Sequence, residues 1–196
     1  MKLTKILGVV AVAAMALMAF ASTASATTLE IGNTKQTASV TIHATLESGT
    51  SAILKDTGGA FANTCTESTV EGETEAPFSA GTIGGPITTL TFGKCTEEPV
   101  VVEAPGRLTV SWSSGGNGTA RSIGAKVKTP SPFGTLTCTT AASPGTTIGT
   151  FTGAATATSH ATMDINAVLN CGFFLPSAKW EGSYTVTSPT GLKVTE

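Results

Sequence analysis

Aromatic and charged side chains are both scarce in this 196-residue sequence, at 6% for Phe, Trp and Tyr and 12% for Asp, Glu, Lys and Arg. With a formal net charge of −2, nucleic-acid binding through a bulk basic surface is excluded, because that mode needs many Lys and Arg to displace phosphate counterions. No two cysteines lie closer than 30 residues and there are only two histidines, His43 and His160, so the knuckle spacing of a structural zinc site is absent. No GxSxG elbow exists to seat a hydrolase serine; Ser79-Ala80-Gly81 does not make one. After residue 26, no 12-residue window combines a 3.6-residue apolar repeat with good helix formers. A helical bundle, a coiled coil and a nucleotide-binding α/β enzyme are thereby set aside.

What is abundant is threonine: 37 residues, 35 of them after position 26, with 22 Gly, 17 Ser and 9 Pro. β-Branched polar residues and turn formers at this density point to short strands. The first 26 residues read differently. Lys2 and Lys5 form a positive start, Ile6 to Phe20 is uncharged, and Ala24-Ser25-Ala26 is a small-x-small cleavage site. This order is that of a signal peptide spanning residues 1–26. Its apolar run is short for a membrane span, which needs roughly 20 residues. No second apolar run follows, so the mature chain carries no expected membrane span and the expected location is secreted, extracellular. Loss of Lys2 and Lys5 takes the net charge from −2 to −4.

Four cysteines, Cys65, Cys95, Cys138 and Cys171, lie in the mature part, and an even count in an exported chain implies disulfides. Three pairings are open in principle. An internal repeat selects one. Cys95-x10-Gly106-x2-Thr109-Val110 has the spacing of Cys171-x10-Gly182-x2-Thr185-Val186, with Pro99 and Pro176 inside each interval. Upstream, the run from Phe61 to Cys65-Thr66 resembles the run from Phe133 to Cys138-Thr139, with one residue inserted. Candidate repeats therefore cover about residues 38–112 and 113–188 of a single β-rich domain, 27–196. If each copy holds its own bridge, the pairs are Cys65–Cys95 and Cys138–Cys171. Such bridges help a domain poor in large core side chains.

Several runs alternate with period two. Ala161, Met163, Ile165, Ala167, Leu169 and Cys171 share one face, as do Val40, Ile42, Ala44 and Leu46. Ile87–Phe92, Leu108–Trp112 and Lys179–Val186 are further strand candidates, the last with Gly182 as a possible bulge. Thr57-Gly58-Gly59, Ile83-Gly84-Gly85-Pro86, residues 113–118 and Ser143-Pro144-Gly145 read as turns or loops. The expectation is an all-β fold of 10 to 14 strands, a disulfide-stapled sandwich or barrel, with duplication of a two-copy unit as its candidate origin.

Residues that could carry chemistry are few. His160 and Asp164 share a strand face but stand roughly 13 Å apart along it, beyond hydrogen-bond reach. Glu71, Glu73 and Glu75 alternate near Glu67 and could gather Ca²⁺, though no calcium-loop motif accompanies them and a solvated edge is the plainer reading. No metal site, catalytic site or cofactor is expected. Trp112 and Trp180, the only tryptophans, are candidate ligand contacts, with core packing as the alternative. They sit 17 and 9 residues after their respective repeat cysteines, so they are not copies of one site.

The export segment, the Thr-rich strands and the two Phe-x(3–4)-Cys-Thr units with distant Cys partners resemble small secreted proteins common in actinobacteria. More distantly they look like the PraB-type secreted proteins, described as activators of alkane oxidation and associated with biofilm. The resemblance implies an extracellular, all-β, non-enzymatic role. The leading expectation is a structural or interaction protein of a surface, matrix or fibre, with self-association or cell-surface polymers as partners. Residues 27–35 are a candidate donor strand for such assembly. The alternatives are a binding module for polysaccharide or an apolar small molecule, and an enzyme built on an unfamiliar site.

Overall fold

The computed structural model describes residues 27–76, 78, 81–132 and 134–196. The expected signal peptide, Phe133 of the second candidate repeat, and Ser79 lie outside the described residues. Among the described residues there is no helix; the strands are β1 (Thr28–Ile31), β2 (Thr34–Lys35), β3 (Thr41–Leu46), β4 (Ala52–Asp56), β5 (Ala62–Glu73), β6 (Ile83–Cys95), β7 (Val101–Ala104), β8 (Arg107–Ser114), β9 (Asn117–Ile123), β10 (Lys126–Thr129), β11 (Leu136–Thr139), β12 (Thr146–Thr152), β13 (Thr162–Leu169), β14 (Ala178–Ser188) and β15 (Leu192–Thr195).

Eight positions close into an antiparallel barrel. The order β13-β12-β9-β8-β6-β5-β3-β14 returns to β13 through a β13–β14 ladder of eight residue pairs, from Thr162↔Thr185 to Leu169↔Ala178. Each wall strand therefore pairs with its sequence neighbours, and the last pairs with the first. Closure removes the exposed sheet edges that a Thr-rich sandwich would have to protect.

The strand count exceeds expectation because four of the eight wall positions are broken in two. β3 and β4 both run antiparallel to β14 and to β5, and occupy one slot with residues 47–51 looped out between them. The β7–β10 ladder continues the register of β8–β9, interrupted by Pro105-Gly106 on one strand and Gly124-Ala125 on the other. β11 and β12 are likewise parts of one wall position, separated by residues 140–145. The three interruptions lie side by side. Gly106, Gly124 and Gly145 all have positive φ there, and a side chain at Gly106 would meet the Ile123 carbonyl at 2.5 Å. Beyond this line the wall continues as β7, β10 and β11. There the wall is incomplete. β11 reaches the end of β13 through a single bridge, Thr139↔Asn170, while no ladder joins β7 to β6 among the described residues.

Both disulfides form with the pairing expected from the candidate repeat, Cys65–Cys95 and Cys138–Cys171. Cys65 and Cys95 are direct partners in the β5–β6 ladder. Cys138, on β11, reaches Cys171, just past β13, and spans the seam that the lone bridge leaves weak. The first four wall positions come from residues 41–114 and the last four from 117–188, and each bridge joins the second and third positions of its half.

Two sequence expectations change. Ile83-Gly84-Gly85-Pro86 is not a turn but the start of β6, paired with Arg107–Val110 of β8. The glycines serve close approach: a Cβ at Gly85 would lie 1.8 Å from the Glu73 carbonyl oxygen. Gly182 is not a bulge in the β13–β14 ladder; it marks where β14 changes partner from β4 to β3, and the register shift falls between Val186 and Ser188. Residues 28–31 of the candidate donor strand are already paired with β15 of the same chain.

The ends of the barrel are closed differently. At one end the sheet β15-β1-β2 lies across the opening and buries Leu29, Leu192 and Val194, tied down by Val194 N–H to the Gly116 carbonyl and Ala154 N–H to the Leu192 carbonyl. At the other, Phe61, Leu136 and Leu175 are buried beside the Cys138–Cys171 bridge. There Asn63 on β5 donates to Thr129 Oγ1 on β10 at 2.7 Å and to the Glu97 carbonyl at 2.9 Å, lacing non-adjacent wall strands together. Its side-chain oxygen accepts from Thr96 Oγ1 and Glu97 N–H, so a buried amide is fully satisfied.

Candidate functional site

Between these two closures lies a cavity of about 190 Å³. Its walls are apolar side chains from all round the barrel, among them Ile42, Leu54, Val70, Leu90, Phe92, Leu108, Val127 and Trp180. These eight are only half-buried, although they face inwards, because the inside is not filled. The sequence supplies the cause. Small residues occupy many wall positions, including Ala44, Ala52, Ala125 and Gly72, and the chain has few large aromatics to reach across. Protein interiors normally pack with few voids larger than a water molecule, so a space of this size is a feature to be explained.

Between β6 and β7 the wall has no ladder among the described residues. Leu90 and Phe92 on β6, Val100 and Pro105 at the two ends of β7, and Val127 behind them line the cavity and keep partial contact with solvent. The wall there lacks a hydrogen-bond ladder, so opening it breaks no strand pairing.

The buried polar side chains along the cavity are already partnered. Tyr184 is buried, and its hydroxyl donates to Ser68 Oγ at 2.9 Å, which donates in turn to the Thr91 carbonyl at 2.7 Å. Burial pushes the Tyr184 phenol up to about 12, with the Ser68 contact offsetting part of the rise. Ser122 and Thr140 share a hydrogen bond at 3.2 Å, and Thr74 Oγ1 accepts from Val40 N–H at 2.9 Å. No buried side-chain nitrogen or oxygen among the described residues lacks a partner. Glu73 is the one charged residue on the lining; its side chain is exposed and its carbonyl lies against Gly85.

The structure separates the two sequence-selected tryptophans. Trp180, on β14, lines the cavity and meets Phe92 edge-on, with ring centroids 6.4 Å apart and planes at 71°. Trp112, on β8, is half-buried outside the cavity lining; its indole N–H donates to the Gly115 carbonyl at 2.9 Å, and its amide donates to Thr27 Oγ1. Phe92, Leu54 and Leu90 also line the cavity, and nothing in the sequence marks them as site residues. The alternation of their strands was the available signal, but alternation marks an inward face without telling whether that face meets a filled core.

The remaining candidates do not come together. His160 Nδ1 lies 2.7 Å from the Val186 carbonyl, while Asp164 accepts from Ser183 Oγ at 2.7 Å. The glutamate row is dispersed: Glu67 pairs with Lys94, Glu71 with His43, and Glu75 with Arg107. Arg107 holds the Glu75 carboxyl below its ordinary range by a direct hydrogen bond. Among the described residues no group of three His, Cys, Asp or Glu side chains is placed to hold a metal ion.

On the outer surface, the loop joining β13 to β14 exposes Phe173 (92%) and Phe174 (68%), two rings in edge contact at 5.5 Å. No described helix is long and apolar enough to cross a membrane. The two disulfides fit an oxidising, extracellular environment. The fold and cavity define a class, a disulfide-stapled, eight-stranded antiparallel barrel with an under-filled apolar lumen. No protein family, curated protein or solved structure matches the chain.

Proposed function

We propose that this protein is a secreted, non-catalytic binder of a small apolar molecule, which it holds in the barrel lumen. The single observation behind the reading is the 190 Å³ apolar cavity beside an unlaced seam. At about 30 Å³ per water-sized group, the space takes roughly six methylene-sized groups, comparable to an engineered apolar cavity of about 150 Å³ that binds benzene. Burial of six such groups at about 0.8 kcal/mol each gives about 5 kcal/mol, a Kd on the order of 0.2 mM before any closure of the seam. Secretion is supported by the order of charge, apolar run and small-residue site over residues 1–26, together with the two disulfides. Of the sequence alternatives, this is the apolar-ligand module; a polysaccharide would need free hydrogen-bonding groups, and the buried polar side chains along the lumen are already bonded within the protein.

Toluene titration of a Trp112→Phe variant tests it. Trp180 is then the sole tryptophan and lines the site. Its emission should change saturably, with a midpoint in the sub-millimolar range expected above. An unchanged spectrum up to toluene saturation counts against a lumen site.

A second reading, a surface or matrix component that self-associates or docks on cell-surface polymers, is favoured by the exposure of Phe173 and Phe174. Sedimentation of the Phe173→Ser/Phe174→Ser variant beside the parent tests self-association; identical monomeric profiles at high concentration would remove that form of it.

A further inference from the structure

We infer that the lumen selects for a neutral ligand and rejects the ionised form of an otherwise identical molecule, an inference that rests on the apolar-binder reading and adds the chemical class of its ligand. Selection follows from where the charges are. An ionised headgroup entering an apolar space loses its hydration and must be compensated by a counter-charge or by free hydrogen-bond donors. Neither is on offer. The buried polar side chains along the cavity are hydrogen-bonded within the protein, and no buried side-chain nitrogen or oxygen among the described residues is left without a partner.

The rim gives the same answer. On the strands around the seam, Lys94 pairs with Glu67, Arg107 with Glu75, and both Lys126 and Lys128 with Glu103. None of these charged residues lines the cavity, so a carboxylate held inside it gains none of those cations. An ammonium group gains none of those carboxylates either, and Glu73, the one charged residue on the lining, is exposed. The headgroup a ligand can carry into this site is therefore one that stays uncharged, such as a hydroxyl, carbonyl or ester, on an apolar body of about six carbons, the size the cavity volume sets.

Three probes of one length separate the possibilities: hexan-1-ol, hexanoate and hexylammonium, titrated into the full mature protein at pH 7 and followed by the methyl resonances of Leu54, Leu90 and Leu108. Hexan-1-ol should bind at least about tenfold more tightly than either ion, the cost of leaving even one charge poorly compensated. A second readout separates charge from shape. Lowering the pH below the hexanoate pKa, roughly 4–5 as for other carboxyls, should bring its affinity to within a few-fold of the alcohol, while hexylammonium remains weak. Hexanoate or hexylammonium binding at pH 7 as tightly as hexan-1-ol would overturn the inference and leave the apolar-binder reading standing. Absence of methyl shifts with all three probes, at both pH values, would overturn the two together.

Discussion

Removing the Cys138–Cys171 bridge should do more than the loss of a cross-link of its length, and the excess is local. The two bridges span 30 and 33 residues. On the loop-entropy account each therefore stabilises by about 4 kcal/mol, with no useful difference between them. Their surroundings differ. Cys65 and Cys95 are register partners inside the β5–β6 ladder, which continues through Glu67↔Gly93 and beyond, so the wall stays laced without the sulfur. Cys138 and Cys171 span a junction where one bridge, Thr139↔Asn170, joins the strands. The Cys65→Ala/Cys95→Ala and Cys138→Ala/Cys171→Ala variants should each lose about 4 kcal/mol in urea unfolding, equivalent to a fall of about 8–16 °C in melting temperature for a chain of this size. In native-state hydrogen exchange only the second should show early opening, at the Thr139 amide bonded to Asn170 and the Cys171 amide bonded to Leu175. A loss below about 1 kcal/mol for either variant would refute the loop-entropy magnitude. Equal exchange at Thr139 and Cys171 in the two variants would refute the assignment of the weak junction.

Tyr184 is the only tyrosine, so phenolate absorbance reports on it alone. Its folded pKa of about 12 lies above the unfolded value of about 10, so its contribution is intact below pH 10 and is lost as pH rises from about 10 to about 12, a fall on the order of 3 kcal/mol. Alkaline titration should show no phenolate in the folded protein near pH 10; early phenolate without unfolding would contradict its burial. Gly149→Ala would place a Cβ 1.8 Å from the Asp164 carbonyl oxygen and should destabilise by at least about 2 kcal/mol in urea unfolding; a neutral result would mean that the β12–β13 approach is looser than described. Leu90→Phe should narrow the space at the seam and weaken the toluene response of Trp180 in the Trp112→Phe background while the fold is retained by circular dichroism; an undiminished response would place the binding elsewhere.

The fold class, and the elements that carry it, were legible where pattern and consequence coincide. The alternation from Ala161 to Cys171 became β13 with Ala161, Ile165, Ala167, Leu169 and Cys171 buried, and the repeat spacing named both disulfides. The breaks in the wall were not legible, because Pro105-Gly106 and residues 143–145 carry the same residues as hairpin turns although the chain continues in its original direction. Gly84 and Gly85 misled in the opposite sense: glycine marks close contact between strands as well as reversal of the chain. Trp180, a candidate ligand contact in the sequence, lines the cavity, but the cavity itself is not legible there. Whether Leu54, Leu90 and Phe92 meet a filled core or an empty one depends on β14 closing onto β3 from the far end of the chain, and on how many small residues then face each other across the barrel.

Xenon pressurisation of crystals of the mature protein measures the central claim without presupposing a ligand, since a dry apolar cavity of this size takes up xenon. The account predicts xenon within the barrel, bounded by Leu54, Leu90, Phe92 and Trp180, with no ordered water in the same space. A lumen packed shut by those side chains, or filled with water hydrogen-bonded to the wall, would contradict it.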